Sequence, residues 1–107
     1  MEKIILSGFV KLKLKDLFET LIRENYFVIE ENAQAYVDEL IDFIYKIDTQ
    51  RQRQTADDRH GEWYCEYKPN KRTTWFITFD KKGENYLVRN LINNHTKEYP
   101  EFIRGNK

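Results

Sequence analysis

The feature that most restricts the fold of this chain is a pair of apolar, strand-forming runs on either side of a glycine-containing turn, between Arg72 and Thr96. Strand-favouring residues fill both runs: Trp75, Phe76, Ile77, Thr78 and Phe79 before the turn, and Tyr86, Leu87, Val88, Leu91 and Ile92 after it. The reversal falls at Asp80-Lys81-Lys82-Gly83, because Gly83 can adopt a positive φ without strain. The sequence therefore predicts a β-hairpin that ends in the polar residues Asn93-Asn94-His95.

The first half of the chain predicts one strand and two helices. Lys3-Ile4-Ile5-Leu6 is a short apolar run before a turn at Ser7-Gly8, which indicates a strand of the same sheet. Apolar residues then recur at helical spacing in two stretches: Leu14, Leu17, Phe18, Leu21 and Ile22, then Val37, Leu40, Ile41, Ile44 and Ile47. The first helix should end near Asn25-Tyr26, and the second should begin after Glu30-Glu31-Asn32. A short connection favours antiparallel packing of the two helices on one face of the sheet.

A further strand precedes the hairpin. Glu62 to Tyr67 alternates, with Trp63, Cys65 and Tyr67 on one face, and Lys68-Pro69-Asn70-Lys71 turns the chain back. The fold class predicted from this order is α+β, with two antiparallel helices packed on a small antiparallel β-sheet. The length of 107 residues allows one domain over residues 1–107. We expect Cys65 to be a buried, unreactive thiol rather than a catalytic one.

The segment from Asp48 to His60 has Ala56 as its only apolar residue. We expect a mobile polar connection or an extension of the second helix. Its three arginines, Arg51, Arg53 and Arg59, can touch a phosphate backbone. A solvated linker without a partner is the alternative.

The net charge of zero conceals an asymmetry between the two halves of the chain. Residues 1–50 contain six Lys or Arg against ten Asp or Glu, a balance of −4, and residues 51–107 contain twelve against eight, a balance of +4. A basic, strand-rich half suits an anionic partner, although solvated surface charges explain the same counts. No apolar run approaches the length of a membrane span and the first residues do not resemble a signal peptide, so we expect a cytoplasmic protein.

The chemistry that the sequence offers centres on His95. There is no glycine-rich phosphate loop, no Cys/His metal spacing and no nucleophile elbow, so neither a metal nor an organic cofactor is implied. A histidine can transfer a proton near neutral pH, and basic residues such as Arg72 and Arg89 on neighbouring strands can stabilise the charge that develops on a phosphate. RNA cleavage by a 2′-hydroxyl needs this combination. A surface or capping role for His95 is the simpler alternative.

The element order and the patterns of the helix pair and strands resemble the RelE/ParE toxin superfamily over nearly the whole chain. The helices are FVKLKLKDLFETLIRENY and NAQAYVDELIDFIYKI, and the strands are EWYCEY, TTWFITFD and YLVRNLINNH. The tail His95-Thr96-Lys97-Glu98-Tyr99 is similar to the HigB-type branch. In that branch a histidine followed by an acidic residue and a tyrosine contributes to ribosome-dependent mRNA cleavage.

The resemblance implies roles for individual residues. His95 would transfer the proton, Tyr99 would be a supporting or base-stacking aromatic, and Arg72 would bind phosphate. Lys71 and Arg89 are the other candidates for phosphate binding. Trp75 is a second candidate for stacking a base.

The resemblance also implies partners: mRNA with the ribosome, and an antitoxin protein whose disordered segment folds on the toxin and covers the basic site. The chain departs from ribosome-acting members in its sequence pI of about 6.7, and Trp75 or Phe76 stands where many relatives have a third-strand arginine. A ParE-like toxin that inhibits a topoisomerase without cleavage, or a catalytically silent interaction domain, therefore remains an alternative.

Overall fold

The computed structural model describes residues 3–23, 30–55, 59–96 and 98–105. Its helices are α1 (Gly8–Arg23), α2 (Glu30–Ile44) and α3 (Tyr99–Gly105), and its strands are β1 (Lys3–Leu6), β2 (Arg53–Gln54), β3 (Trp63–Tyr67), β4 (Trp75–Lys82) and β5 (Asn85–Asn93). A short 3-10 helix, Ile47–Thr49, follows α2. The predicted α+β class is confirmed. The predicted end of the first helix near Asn25-Tyr26 lies outside the described residues.

The five strands form one sheet in the order β1-β5-β4-β3-β2. Strands β3, β4 and β5 are the antiparallel meander that the sequence predicts, with Trp75 opposite both Tyr67 and Asn93. The prediction of a wholly antiparallel sheet is wrong for β1, which pairs parallel to β5 with Lys3 opposite Asn85. Neighbouring parallel strands need a long crossover, and here the helices and three other strands lie between them in the chain.

Helices α1 and α2 cover one face of this sheet. Helix α1 begins after Ser7, whose Oγ accepts a hydrogen bond from the backbone N–H of Val10 at 3.2 Å and so caps the first turn. The buried residues of this layer come from both helices and from alternate strand positions: Val10, Leu14, Leu21, Val37, Leu40, Ile44, Ile77, Phe79 and Val88. The predicted apolar stripes of both helices therefore face the core.

The opposite face of the sheet is covered by α3, a helix that was not predicted from the sequence. Phe102 of α3 is 4% exposed and lies against Tyr64 and Phe76, with ring centroids 5.4 and 5.2 Å away. Ile92 completes this second cluster. The sheet is therefore buried on both faces, which explains the nearly continuous apolar run of β4.

A β-bulge interrupts the pairing of β4 with β5. Phe79 is opposite Val88 and Thr78 is opposite Asn90, so Arg89 is the additional residue. The bulge shifts the alternation of β5 by one position. As a result Asn90 and Ile92 lie on the α3 face, whereas Tyr86 and Val88 face α1 and α2.

Two predicted connections differ from the structure. Strand β4 extends to Lys82, so the reversal is shorter than predicted and contains Gly83, with φ of 60°, and Glu84. The predicted polar connection from Asp48 to His60 includes the edge strand β2, which pairs with β3 through Arg53 opposite Tyr64. Residues 56–58 of that segment lie outside the described residues.

Gly61 gives a stability prediction. Its φ is +149°, and a Cβ at this position would lie 2.8 Å from the backbone nitrogen of Phe79. We expect Gly61→Ala to lower the free energy of unfolding by about 1–3 kcal/mol or more. Residues with an L side chain rarely adopt this backbone conformation, and the added Cβ would meet the backbone of β4 rather than a flexible side chain. Urea unfolding measures the change. Gly8→Ala is the control, since no atom lies within 4 Å of its added Cβ, and equal stabilities for the two variants would contradict the prediction.

Within the described ranges, no helix combines the length and apolar character that crossing a bilayer requires.

Candidate functional site

The predicted site around His95 lies where two loops meet at one end of the β3–β5 meander. We call it the His95 corner and define it as residues 70–74 and 93–96. The Asn94 side chain joins the two loops, because its Oδ1 accepts from the Thr74 backbone N–H at 3.1 Å and its Nδ2 donates to the Arg72 carbonyl at 2.9 Å. The backbone N–H of Asn94 also donates to the Thr74 carbonyl. The Arg72 and His95 loops are therefore held together.

Each loop of the corner is also fixed from within. The Asn70 Oδ1 accepts from the backbone N–H groups of Arg72 and Thr73, both at 2.9 Å. In the other loop the Asn93 Oδ1 accepts from the backbone N–H of His95 at 2.8 Å. These short asparagine-centred turns are typical of loops whose conformation is defined by their own side chains.

The imidazole of His95 lies beside Thr73. The Thr73 hydroxyl and His95 Nε2 are 3.3 Å apart, and His95 is exposed to solvent. Lys71 and Arg72 are also exposed, and no carboxylate of the described residues forms an ion pair with either of them. The corner thus combines an accessible proton-transfer group with two cations that are available to an anion.

The other three predicted site residues are placed differently. Trp75 is 6% exposed on the α1–α2 face and its indole N–H donates to the Tyr36 hydroxyl at 3.0 Å, so its ring packs in the core rather than at the surface. Arg89 lies on the bulge, four residues before Asn93 and thus about 13 Å along β5. Its Nη1 pairs with Asp80 Oδ2 at 3.2 Å, and the structure does not bring it to the corner.

Tyr99 is near the corner but half-buried. Its ring stacks on Phe76 at 5.6 Å between centroids, and its backbone N–H donates to the Thr96 carbonyl at 3.3 Å. Tyr99 therefore connects the His95 loop to the second aromatic cluster. This position suits a supporting aromatic better than an exposed base-stacking one.

A cluster of four polar side chains at the β5 edge was not predicted. Lys13 Nζ donates to Asn90 Oδ1 at 2.6 Å, to the Leu91 carbonyl at 3.0 Å and to Glu98 Oε1 at 2.5 Å. Asn90 Nδ2 contacts Glu98 Oε2 and His60 Nδ1, each at 3.0 Å. We call Lys13, His60, Asn90 and Glu98 the polar cluster. It ties α1 to the segment that begins α3.

Lys13 fixes the proton arrangement of the polar cluster. An ammonium group only donates, so the atom of Asn90 that faces it must be the oxygen. The amide nitrogen of Asn90 then points to Glu98 and His60, and His60 Nδ1 must accept its hydrogen bond.

The pKa of Glu98 is lowered in the folded chain by its neighbours. Burial is the largest single effect and would raise the pKa of Glu98, but hydrogen bonds from Lys13 and Asn90 together with the charge of Lys13 outweigh it. A carboxylate with a lowered folded pKa stabilises the fold above its unfolded pKa of about 4.5, and that stabilisation is lost as the pH falls through the folded value.

The polar cluster therefore predicts a pH effect on stability. We expect Glu98→Gln to lower the free energy of unfolding at pH 7 and to flatten its decrease below about pH 4.5, relative to wild type. The change at pH 7 should be about 1 kcal/mol or less, since the Lys13–Glu98 pair is partly exposed. Glu101→Gln is the control, because Glu101 pairs with Arg59 only at the exposed surface. Urea unfolding at a series of pH values measures the change, and a free energy of unfolding that depends on pH in the same way for wild type and Glu98→Gln would contradict the expectation.

Cys65 and the two histidines do not come together as a further site. Cys65 is 1% exposed, and burial raises the pKa of its thiol to about 12 against the opposing charge of Lys81, as expected of an unreactive thiol. His60 belongs to the polar cluster and contacts Phe102, whereas His95 contacts Thr73. Among the described residues, no three His, Cys, Asp or Glu side chains are grouped as a metal site would require.

No family model, curated protein or solved structure matches this chain.

Proposed function

We propose that this chain is the toxin of a type II toxin–antitoxin pair and that it cleaves mRNA on the ribosome without a metal ion. The observation that supports this proposal is the His95 corner, in which Asn94 holds an exposed histidine beside the exposed Lys71-Arg72 pair. Metal-independent RNA cleavage needs little more than a proton-transfer group and cations for the phosphate.

In the proposed reaction, the 2′-hydroxyl oxygen of a ribose attacks the adjacent phosphorus and the bond from phosphorus to the 5′ oxygen breaks. His95, in its neutral form, accepts the proton of the attacking hydroxyl, and the leaving 5′ oxygen takes a proton from solvent. Lys71 and Arg72 stabilise the negative charge that accumulates on the phosphate oxygens. The products are a 2′,3′-cyclic phosphate and a 5′-hydroxyl end.

Thr73 and Tyr99 have supporting roles in this proposal. The Thr73 hydroxyl contacts His95 Nε2 and so orients the ring, which leaves Nδ1 directed away from that contact and able to face a substrate. Tyr99 ties the His95 loop to Phe76 and keeps the corner rigid. Arg89 pairs with Asp80 on the bulge, away from these residues.

The proposed protein partner is an antitoxin with an acidic segment that folds over the corner. Such a segment would neutralise Lys71 and Arg72 and would deny RNA access to His95. An antitoxin-like reading frame beside the gene would support the pairing, and co-expression of its product should restore growth of cells that produce this chain.

Product analysis tests the proposed chemistry. The purified chain is incubated with an mRNA alone and with the same mRNA on translating ribosomes, and the new ends are identified. Cleavage that leaves 2′,3′-cyclic phosphates in the presence of chelator supports the proposal. If cells stop growing but neither reaction shows cleavage, inhibition of a topoisomerase is favoured instead. If folded protein causes neither growth arrest nor cleavage, the chain is better explained as an interaction domain.

A further inference from the structure

A groove of about 250 Å³ lies on the α3 side of the sheet, at its β2 edge. It is lined by Gln50, Arg51, Arg53, Tyr64 and Glu66. Tyr64 also contacts Phe102 of α3, so the groove lies on the face of the sheet that α3 covers. The segment predicted to be a polar connection thus contributes three of the five residues that line this concave surface.

The groove contains two cations without partners in the described part of the chain. Arg51 and Arg53 are exposed, and neither forms an ion pair or side-chain hydrogen bond with a described residue. Tyr64 is 5% exposed and forms part of the floor. Two guanidinium groups beside a groove match the geometry and charge of a phosphate group, which arginine can bind through two parallel hydrogen bonds.

The groove is close to the His95 corner. Tyr67, Trp75 and Asn93 are directly opposite one another across β3, β4 and β5, and Glu66 is one residue from this row. Neighbouring strands are about 4.8 Å apart, so the β3 side of the groove lies roughly 10 Å from the β5 end that carries the corner. The β3–β4 loop, which contains Lys71 and Arg72, lies between the groove and the His95 loop.

We propose that this groove binds backbone phosphates of a single-stranded RNA whose scissile phosphate lies at the His95 corner. This inference rests on the proposed function, which it extends by a second contact with the same strand. Arg51 and Arg53 hold phosphates a few nucleotides from the cleavage point. Among the described residues of the lining, Glu66 is the one acid. It repels phosphate and accepts hydrogen bonds from ribose hydroxyl or base amino groups, which keeps the backbone on the arginine side.

The test is the affinity of the intact chain for a short 2′-O-methyl RNA, which lacks the attacking hydroxyl, measured by fluorescence anisotropy over a series of salt concentrations. We expect Arg51→Ala/Arg53→Ala to weaken binding roughly tenfold or more near 0.1 M salt. The slope of log affinity against log salt should become shallower by about 1.4, since each phosphate contact to a single strand contributes about 0.7.

The matched control is Lys11→Ala/Lys15→Ala. It removes an equal number of positive charges, two, from exposed positions of α1 on the other side of the sheet. It should retain most of the affinity and the wild-type slope. Arg51→Gln/Arg53→Gln keeps long polar side chains and serves as the test if the alanine pair does not fold. Equal affinities and slopes for the groove and control pairs would overturn the inference.

The same experiment separates the groove from the nuclease. A wild type that cuts RNA, together with a groove pair that binds like the control pair, would reject the groove and leave the nuclease in place. RNA binding that depends on the groove, in a chain that cuts no RNA, would reject the nuclease and leave the groove as an RNA site. Binding of an acidic peptide through Arg51 and Arg53, without RNA binding, would overturn the inference in favour of a protein ligand.

Discussion

His95→Ala should reduce the rate of RNA cleavage by about 10²–10⁴-fold, the range typical for loss of a general acid–base group. Because the side chain is exposed and contacts only Thr73 among the described residues, its removal should leave the free energy of unfolding nearly unchanged. The rate is measured on a single RNA at saturating protein, where binding does not limit it.

His60→Gln is the matched histidine control for this experiment. His60 lies in the polar cluster and contacts Asn90 and Phe102, so its replacement should alter stability rather than the cleavage rate. Thr73→Val should give a smaller loss of rate than His95→Ala and shift the pH profile, because it removes the hydroxyl that orients the imidazole. Equal rates for His95→Ala and wild type would show that His95 is not the proton-transfer group.

Phe102→Ala should lower the free energy of unfolding by about 3–5 kcal/mol, as for other buried phenylalanines. The ring is 4% exposed and contacts Tyr64, Phe76 and His60. Its loss would remove the main apolar contact of a seven-residue helix and expose the α3 face of the sheet to water. Urea unfolding gives the change in free energy.

Leu12→Ala is the control for Phe102→Ala, because Leu12 is 62% exposed on α1 and its replacement should change stability by less than about 0.5 kcal/mol. The free energy of unfolding of Phe102→Leu should lie between those of Phe102→Ala and Leu12→Ala. A loss below about 1 kcal/mol for Phe102→Ala would contradict the assignment of α3 to the second core.

The fold was predictable where the pattern of apolar residues is long. Helix α2 contains fifteen residues with Val37, Leu40 and Ile44 at helical spacing, and β4 with β5 contains the longest strand-forming runs. Helix α3 was missed because seven residues with a proline in the first turn and a glycine at the end carry no clear period. Its position depends on packing against Phe76, which is not visible in the local sequence.

The direction of β1 and the presence of β2 depend on tertiary contacts. A strand of four residues, three of them apolar, does not indicate whether it pairs parallel or antiparallel, so the direction of β1 beside β5 depends on the whole fold. Strand β2 is two residues long, Arg53 and Gln54, and has no apolar side chain. Its pairing with β3 follows from the neighbouring backbone rather than from propensity.

The candidate site was predicted in part. His95 and Arg72 lie in the same corner because they follow and precede paired strands, which the hairpin pattern implies. The same pattern could have predicted the burial of Trp75, since Trp75, Ile77 and Phe79 share one face of β4. The polar cluster was not predictable, because Lys13 and Asn90 are 77 positions apart and Asn90 reaches its position through the bulge.

The most direct test of the central claim is induced expression of wild type and of His95→Ala in a bacterial host, with growth and transcript ends followed in the same cultures. We predict growth arrest and new mRNA ends for wild type, with both lost in His95→Ala at equal protein levels. Arrest without new ends, or new ends that persist in His95→Ala, would contradict RNA cleavage by the His95 corner.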